Sequence, residues 1–251
     1  MQLSFEPVFP SPSPTATSTS TPTLMPTPTV SYAGPGMRTG TSIAAVYLND
    51  PPNIDGYLGD WDLGIYPASA VVYGADNRTD DADLSSTVMV GWNESYLYVG
   101  ARVKDSQYVQ IATEENIFKG DSVEILLDTD VSSDFYLNQL SIDDYQLGIT
   151  PGSQHNDDTS EAYLWFPKSI SGARSQVLIG VLKTSNGYHI ELAIPWSVFN
   201  VTAYEGQHFG FAFSVSDNDT PGTTEQQSMI SNVATRLLTS PMTWGDLTLV
   251  K

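Results

Sequence analysis

The 251-residue chain carries 29 Asp and Glu against 10 Lys and Arg, a net charge of −19, and no cysteine. The missing thiols exclude a disulfide framework, a cysteine-based zinc site and thiol catalysis, but name no compartment. The charge repels nucleic acid and anionic lipid; it attracts cations, so Ca²⁺ binding is one reading and a merely soluble acidic surface the other.

The chain opens with an arm, residues 1–42. Sixteen of the twenty residues in "SPSPTATSTSTPTLMPTPTV" (11–30) are Ser, Thr or Pro, and no residue from Pro7 to Met37 is charged. Such a tract has almost nothing to bury and does not fold alone. Proline holds it extended at ~3.1 Å per residue, a reach of roughly 110 Å from Pro7 to Ser42, and its hydroxyls offer sites for O-linked sugar. These are the features of an extracellular or cell-surface stalk. "MQLSFEPVFP" has neither the basic start nor the apolar stretch of a signal peptide, so export implies a signal already removed. No apolar run approaches the ~20 residues needed to span a bilayer. N-x-S/T triplets at Asn77, Asn93, Asn200 and Asn218 are compatible with a glycosylated surface, although such triplets arise often by chance.

From residue 43 onward the hydrophobic period is two. "STVMVGW" sets Val88, Val90 and Trp92 to one side, "SYLYVGARV" sets Leu97, Val99, Ala101 and Val103, "DSVEILLD" sets Val123, Ile125 and Leu127, and "HFGFAFSVS" sets Phe209, Phe211, Phe213 and Val215. These are strands with one face in a core. Asn186-Gly187 between two alternating runs predicts a hairpin with a type I′ turn. "PWSVF" predicts a single helical turn after Ile194. Many short strands without long helices give an all-β fold, a two-sheet antiparallel β-sandwich of jelly-roll or immunoglobulin-like type behind an extended N-terminal arm.

The ordered series "IDGYLGDW" (54–61), "WNESYLYVGARVKD" (92–105), "GDSVEILLD" (120–128), "DDYQLGI" (143–149), "GYHIELAIPWSVF" (187–199), "GQHFGFAFSVSDND" (206–219) and "WGDLTLV" (244–250) resembles the family 9 carbohydrate-binding modules, within the wider DOMON-like sandwiches. The resemblance covers residues 44–251. It implies a two-sheet sandwich without catalysis of its own, bound Ca²⁺, and in sugar-binding members a cleft that grips the end of a glycan. By that resemblance Phe118 stands where an aromatic stacks on sugar, and Glu124 is the acid that accepts sugar hydroxyls; read from the residues alone, they are equally a loop aromatic folded onto the core and an exposed strand acid. The family's ligand-binding Arg falls on Gly148 and its Gln on Ser214, and no second stacking Trp appears in "NVATRLLTSPMTWG", where Leu237 and Leu238 stand nearby and Trp244 aligns with a structural aromatic. The two-sided aromatic clamp is therefore expected to be absent, with Gln146 left on the face that Gly148 shares. Tyr163, Trp165 and Phe166, in an insertion, offer a substitute sugar platform, an interface with a neighbour, or cover for a sheet edge.

"LDTDVSSD" offers Asp128, Asp130 and Asp134 as oxygen ligands for Ca²⁺, or a plain solvated turn. "ADNRTDDAD", with Asp76, Asp80, Asp81 and Asp83, is a weaker candidate. Paired acids in apparent loops make a poor case for a glycosidase, which needs two carboxylates facing one cleft. His155, His189 and His208 share no metal-ligand spacing; His189 and Glu191, alternate residues on one strand face, read as a structural pair, and haem ligation by Met89 and His189 lacks a second supporting feature. Two functions remain. One is non-catalytic binding of carbohydrate outside the cell. The other is a structural subunit of a surface filament or layer, in which the apolar tip Leu3, Phe5 and Val8 docks the arm onto other copies of the chain.

Overall fold

The computed structural model describes residues 36–154 and 157–251. The proposed docking residues Leu3, Phe5 and Val8, almost all of the arm, and His155 lie outside them. Fourteen strands follow in order: β1 (Ser42–Tyr47), β2 (Tyr66–Pro67), β3 (Ala70–Tyr73), β4 (Leu84–Trp92), β5 (Tyr96–Asp105), β6 (Ser122–Asp128), β7 (Asp144–Thr150), β8 (Glu161–Phe166), β9 (Gly172–Ala173), β10 (Leu178–Thr184), β11 (Gly187–Pro195), β12 (His208–Asp217), β13 (Ser228–Ser231) and β14 (Gly245–Val250). One four-residue helix, α1 (Val131–Asp134), interrupts them.

The expected sandwich is present, and its two halves are joined by hydrogen bonds into one curled sheet. One half runs β10-β11-β5-β4 and the other β14-β12-β6-β7-β8-β9; β1 bridges them, pairing parallel with β14 and with β4. β13 adds to β12, and β3 to β13. The alternate residues read from the sequence meet in one core: Val88, Val90 and Trp92, Leu97 to Val103, Val123, Ile125 and Leu127, and the three phenylalanines of β12. Each fully buried Phe is worth roughly 2–3 kcal/mol of apolar transfer.

The β10–β11 hairpin forms as expected, but its turn differs. The connecting residues are Ser185 and Asn186, since Thr184 pairs with Gly187, and only Gly187 takes a positive φ, +124°. A type I′ turn needs two such residues, so the strand twist is accommodated at Gly187 alone. The turn after Ile194 forms at Trp196–Val198.

The faces turned away from this core differ from a half-buried strand, because one is covered and the other partly so. Over β4, β5 and β11, residues 48–63 pack Leu58 and Trp61 onto Met89, Tyr98 and Ala193. The cover is pinned by Glu191, which accepts bonds from Asp55 N (2.8 Å), Gly56 N (2.6 Å) and Trp61 Nε1 (2.8 Å). The approach is so close that a Cβ on Gly56 would sit 2.5 Å from the Leu182 nitrogen, and one on Gly180 2.6 Å from the Asp55 nitrogen. The run "IDGYLGDW" is thus a clasp on a buried carboxylate. Glu191 does not pair with His189, as the alternation had suggested; the Asp55 and Gly56 amides take one of its oxygens and the Trp61 indole takes the other.

Candidate functional site

The outer face of the other half is only partly covered. Leu126, Ala212, Val233 and Trp244 form a small cluster under residues 232–244. Beside it lies a cavity of about 510 Å³. Pairing across the sheet sets its floor: Gly148 on β7 stands opposite Glu124 on β6, Glu124 opposite Ser214 on β12, and Ser214 opposite Ser231 on β13. The flanking strands then supply two walls. Phe118, Trp165 and Lys168 come from the turn 114–119 and from β8 with its following turn; Val72, Tyr73, Met229, Leu237 and Leu238 come from β3, β13 and the loop beyond it.

The sequence-derived residues are distributed as follows. Phe118, Glu124, Gln146 and Trp165 line this one cavity, and Tyr163 sits beside it, its ring 6.1 Å from that of Trp165. Trp165 is not a flat platform: its ring lies against Gly148, where a Cβ would come within 2.1 Å of it, and its Nε1 donates to the Glu115 carbonyl (2.8 Å). Phe118 meets it edge-on, with ring centroids 5.9 Å apart and planes at 81°. The two rings make a corner, and Gly148 is the space that the indole needs.

Glu124 is buried, not an exposed strand acid. One oxygen accepts from Gln146 Nε2 (2.7 Å) and the other is ion-paired with Arg236. A guanidinium from a different part of the chain, that of Arg236, thus stands beside Glu124 although Gly148 supplies none. Likewise the wall facing Phe118 is not without an aromatic, because Tyr73 stands in it, 54% exposed, with Leu237 and Leu238. Trp244 is structural, as the resemblance implied; it is buried and its Nε1 holds the Leu237 carbonyl (2.9 Å), fixing the loop that carries Arg236. Sequence reasoning missed Arg236, Tyr73, Lys168 and Gln226, which reach the cavity only through the β13–β3 pairing and the turn after β8. A wider groove of about 760 Å³, between residues 51–54 and β10, has no charged side chain in its lining.

Two carboxylate clusters exist among the described residues. In the first, Asp128 and Asp134 are joined by Asp143, not by Asp130. Asp130 is the N-cap of α1 and spends its carboxylate on Ser132 and Ser133. Arg38 enters this cluster: it pairs with Asp128, reaches Asp134 (3.4 Å) and donates to the Phe135 carbonyl (2.6 Å). Burial nevertheless raises Asp128 to about 6. Of the expected set, Asp128 and Asp134 thus stand in a carboxylate group of metal-binding spacing, with Asp143 in the place of Asp130.

The second cluster joins Asp105, Asp217 and Asp219, whose oxygens lie within 4.8 Å of one another. Of the loop 76–83 only Asp83 comes near, bound to Ser106 Oγ (2.9 Å), which also contacts Asp219. Burial and then the neighbouring carboxylates raise Asp217 to about 7; burial raises Asp105 to about 6. Asp105 Oδ2 and Asp217 Oδ1 are buried without a partner. Such an all-oxygen set with orphaned atoms fits a hard divalent cation. Of the N-x-S/T triplets, Asn218 is closed to sugar in the folded chain: it is fully buried and its amide donates to the Thr223 carbonyl.

Residues 54–251 match the model of the family described as "Carbohydrate family 9 binding domain-like". Among curated proteins, the chain is 28% identical over 194 residues to the exoglucanase XynX of Acetivibrio thermocellus and 27% identical over 194 residues to the endo-1,4-beta-xylanase A of Thermoanaerobacterium saccharolyticum. Each match spans 76% of this chain but only 16% and 15% of those much longer proteins. Among solved structures, a family 9 module from Caldicellulosiruptor kristjanssonii in complex with cellotriose superposes with a TM-score of 0.61 at 20% identity, covering 84% of this chain and 94% of that one. The glucose complex of a family 9 module from the same organism gives 0.60 at 20% identity, covering 83% and 95%. A putative carbohydrate-binding protein from Bacteroides uniformis gives 0.58 at 13% identity, covering 84% and 99%. These structural likenesses bear on the fold.

Proposed function

The chain belongs to the carbohydrate family 9 binding domain-like family, and from that premise we propose that it binds carbohydrate without catalysis, in the cavity between Phe118 and Tyr73. The observation that carries this reading is the division of the cavity into apolar walls and a polar floor: aromatic and Leu side chains on the walls, Glu124, Gln146 and Arg236 at the base. Sugars present just this pair of surfaces, an apolar ring face and a rim of hydroxyls. Glycoside hydrolysis requires two carboxylates across a cleft; among the described residues in this lining Glu124 is the sole acid, and both of its oxygens are engaged. Isothermal calorimetry with cellotriose and xylotriose tests the reading. At least one is expected to bind, with Phe118→Ala weakening it about tenfold, the loss of roughly 1.4 kcal/mol of ring contact; no heat with either oligosaccharide overturns it.

The same reading places the protein outside the cell. The Ser/Thr/Pro tract supports this, as does the size of any polymeric glycan, which stays outside a membrane; no helix among the described residues is long and apolar enough to cross one. We also assign Ca²⁺ to Asp105, Asp217 and Asp219, where it would neutralise three crowded carboxylates and brace the loops after β5 and β12. Millimolar Ca²⁺ is expected to raise Tm at pH 7.5 and Asp217→Asn to remove most of the rise; an unchanged Tm in the parent chain rules the assignment out.

A further inference from the structure

The free hydrogen-bonding groups of the cavity are mostly donors. Both oxygens of Glu124 are occupied, by Arg236 and by Gln146 Nε2. Gln226 spends its Nε2 on Ser216 Oγ (2.6 Å). Arg236, by contrast, has a buried Nε without a partner, although the residue is only 8% exposed. Lys168, on the rim, makes no ion pair or side-chain hydrogen bond with any described residue, and Lys119 lies against the Phe118 ring, its Nζ 5.6 Å from the centroid. The lining thus holds two cations, Arg236 and Lys168, against one carboxylate that is already neutralised, in a chain whose net charge is −19. That Nε is closed to solvent, so what a ligand meets is the charge of Arg236 and Lys168 on the lining, which favours an acceptor.

A neutral sugar offers hydroxyls, which both donate and accept, and the acceptors for them here are the amide oxygens of Gln146 and Gln226, the Tyr73 hydroxyl and the remaining lone pairs of Glu124. A carboxylate only accepts. It matches a guanidinium edge and an ammonium at once, and in a partly dry cavity such charge-assisted bonds are about twice as strong as neutral ones. We propose that this cavity, if it binds carbohydrate as described above, selects an acidic sugar, a hexuronate whose carboxylate is received by the Arg236 guanidinium and Lys168 Nζ while the ring packs on Phe118. Arg236 is then both the counter-ion of Glu124 and a specificity-determining residue, and Lys168 the second one.

The test uses matched disaccharides: cellobiose, its analogue with glucuronate at the non-reducing end, and cellobiose 6-sulfate, titrated into the full chain at fixed ionic strength. The uronate is expected to bind at least tenfold more tightly than cellobiose. Lys168→Gln is expected to shrink that ratio to about threefold or less with an unchanged circular dichroism spectrum, and Arg236→Gln to abolish it. Should Arg236→Gln fail to fold, the Lys168→Gln ratio alone decides. Equal or weaker binding of the uronate overturns the inference and leaves carbohydrate binding standing; binding of none of the three overturns both. Preference for the sulfate over the uronate also overturns it, in favour of sulfated glycans. A ratio unmoved by Lys168→Gln overturns the inference as well.

Discussion

Two outer faces of one curled sheet have been closed in opposite ways, each around a glutamate. On the β4–β5–β11 face the clasp 54–61 wraps Glu191 with three N–H donors and seals it from solvent. On the β6–β7–β12 face Glu124 has a cation and an amide for partners, and the cover stops short, leaving a walled cavity. The first is a structural joint, since backbone amides cannot be offered to a ligand without unfolding the clasp. The second uses side chains, which can exchange one partner for another. A buried acid satisfied by backbone builds the fold, whereas one satisfied by side chains beside a void leaves chemistry available.

The comparison can be broken most severely at Glu191. Glu191→Ala strands three buried donors and should cost about 4 kcal/mol, read as a fall in urea midpoint at constant m-value. Glu124 lies where a neighbouring glycine matters more than the acid itself. Gly148→Ala puts a Cβ within 2.1 Å of the Trp165 ring, and pushing the indole into the cavity should cost about 2 kcal/mol and lower sugar affinity at least tenfold. A milder fold penalty with full loss of binding would sharpen the distinction between joint and site.

Asp144 extends the series to a third buried acid, with less support than either glutamate. Its carboxylate accepts one bond, from Ser141 N (2.6 Å), Oδ1 is unpartnered, and burial followed by repulsion from Asp128 raises it to about 8. A carboxyl raised above its unfolded value of about 3.9 is protonated in the native state while the unfolded chain has ionised, so its contribution is complete below pH ~4 and is lost as pH rises through 8. In metal-free buffer Asp144→Asn should flatten that decline and gain about 1 kcal/mol at pH 8, measured by denaturant titration across pH 4–9; a slope identical to the parent's would assign the decline elsewhere.

Strand parity made much of this legible. Residues 123, 125 and 127 alternate into the core, so Glu124 had to face the other way, and register then sets Gln146 and Gly148 beside it. Arg236 was invisible because its place depends on the loop 232–244, hung between β13 and β14 and braced by Trp244. Tyr73 was equally hidden: β3 joins β13 from about 150 residues away in sequence, through a register shift at Met229/Ile230. Local spacing misled in two places for one reason, that N–H and O–H donors not counted in the spacing take the carboxylate. Glu191 turned from His189 to the clasp, and Asp130 turned from its fellow aspartates to cap α1.

The parallel pairing of β1 with β14 has a mechanical consequence. Five registered residue pairs, from Ser42–Asp246 to Val46–Val250, join the strand that follows the arm to the last strand. Tension that pulls residue 36 and residue 251 in opposite directions runs along both strands, so the ladder is loaded in shear and its bonds must fail together instead of unzipping one by one. The Arg38 pairs with Asp128 and Asp134 lie upstream of that ladder and take the first of the load.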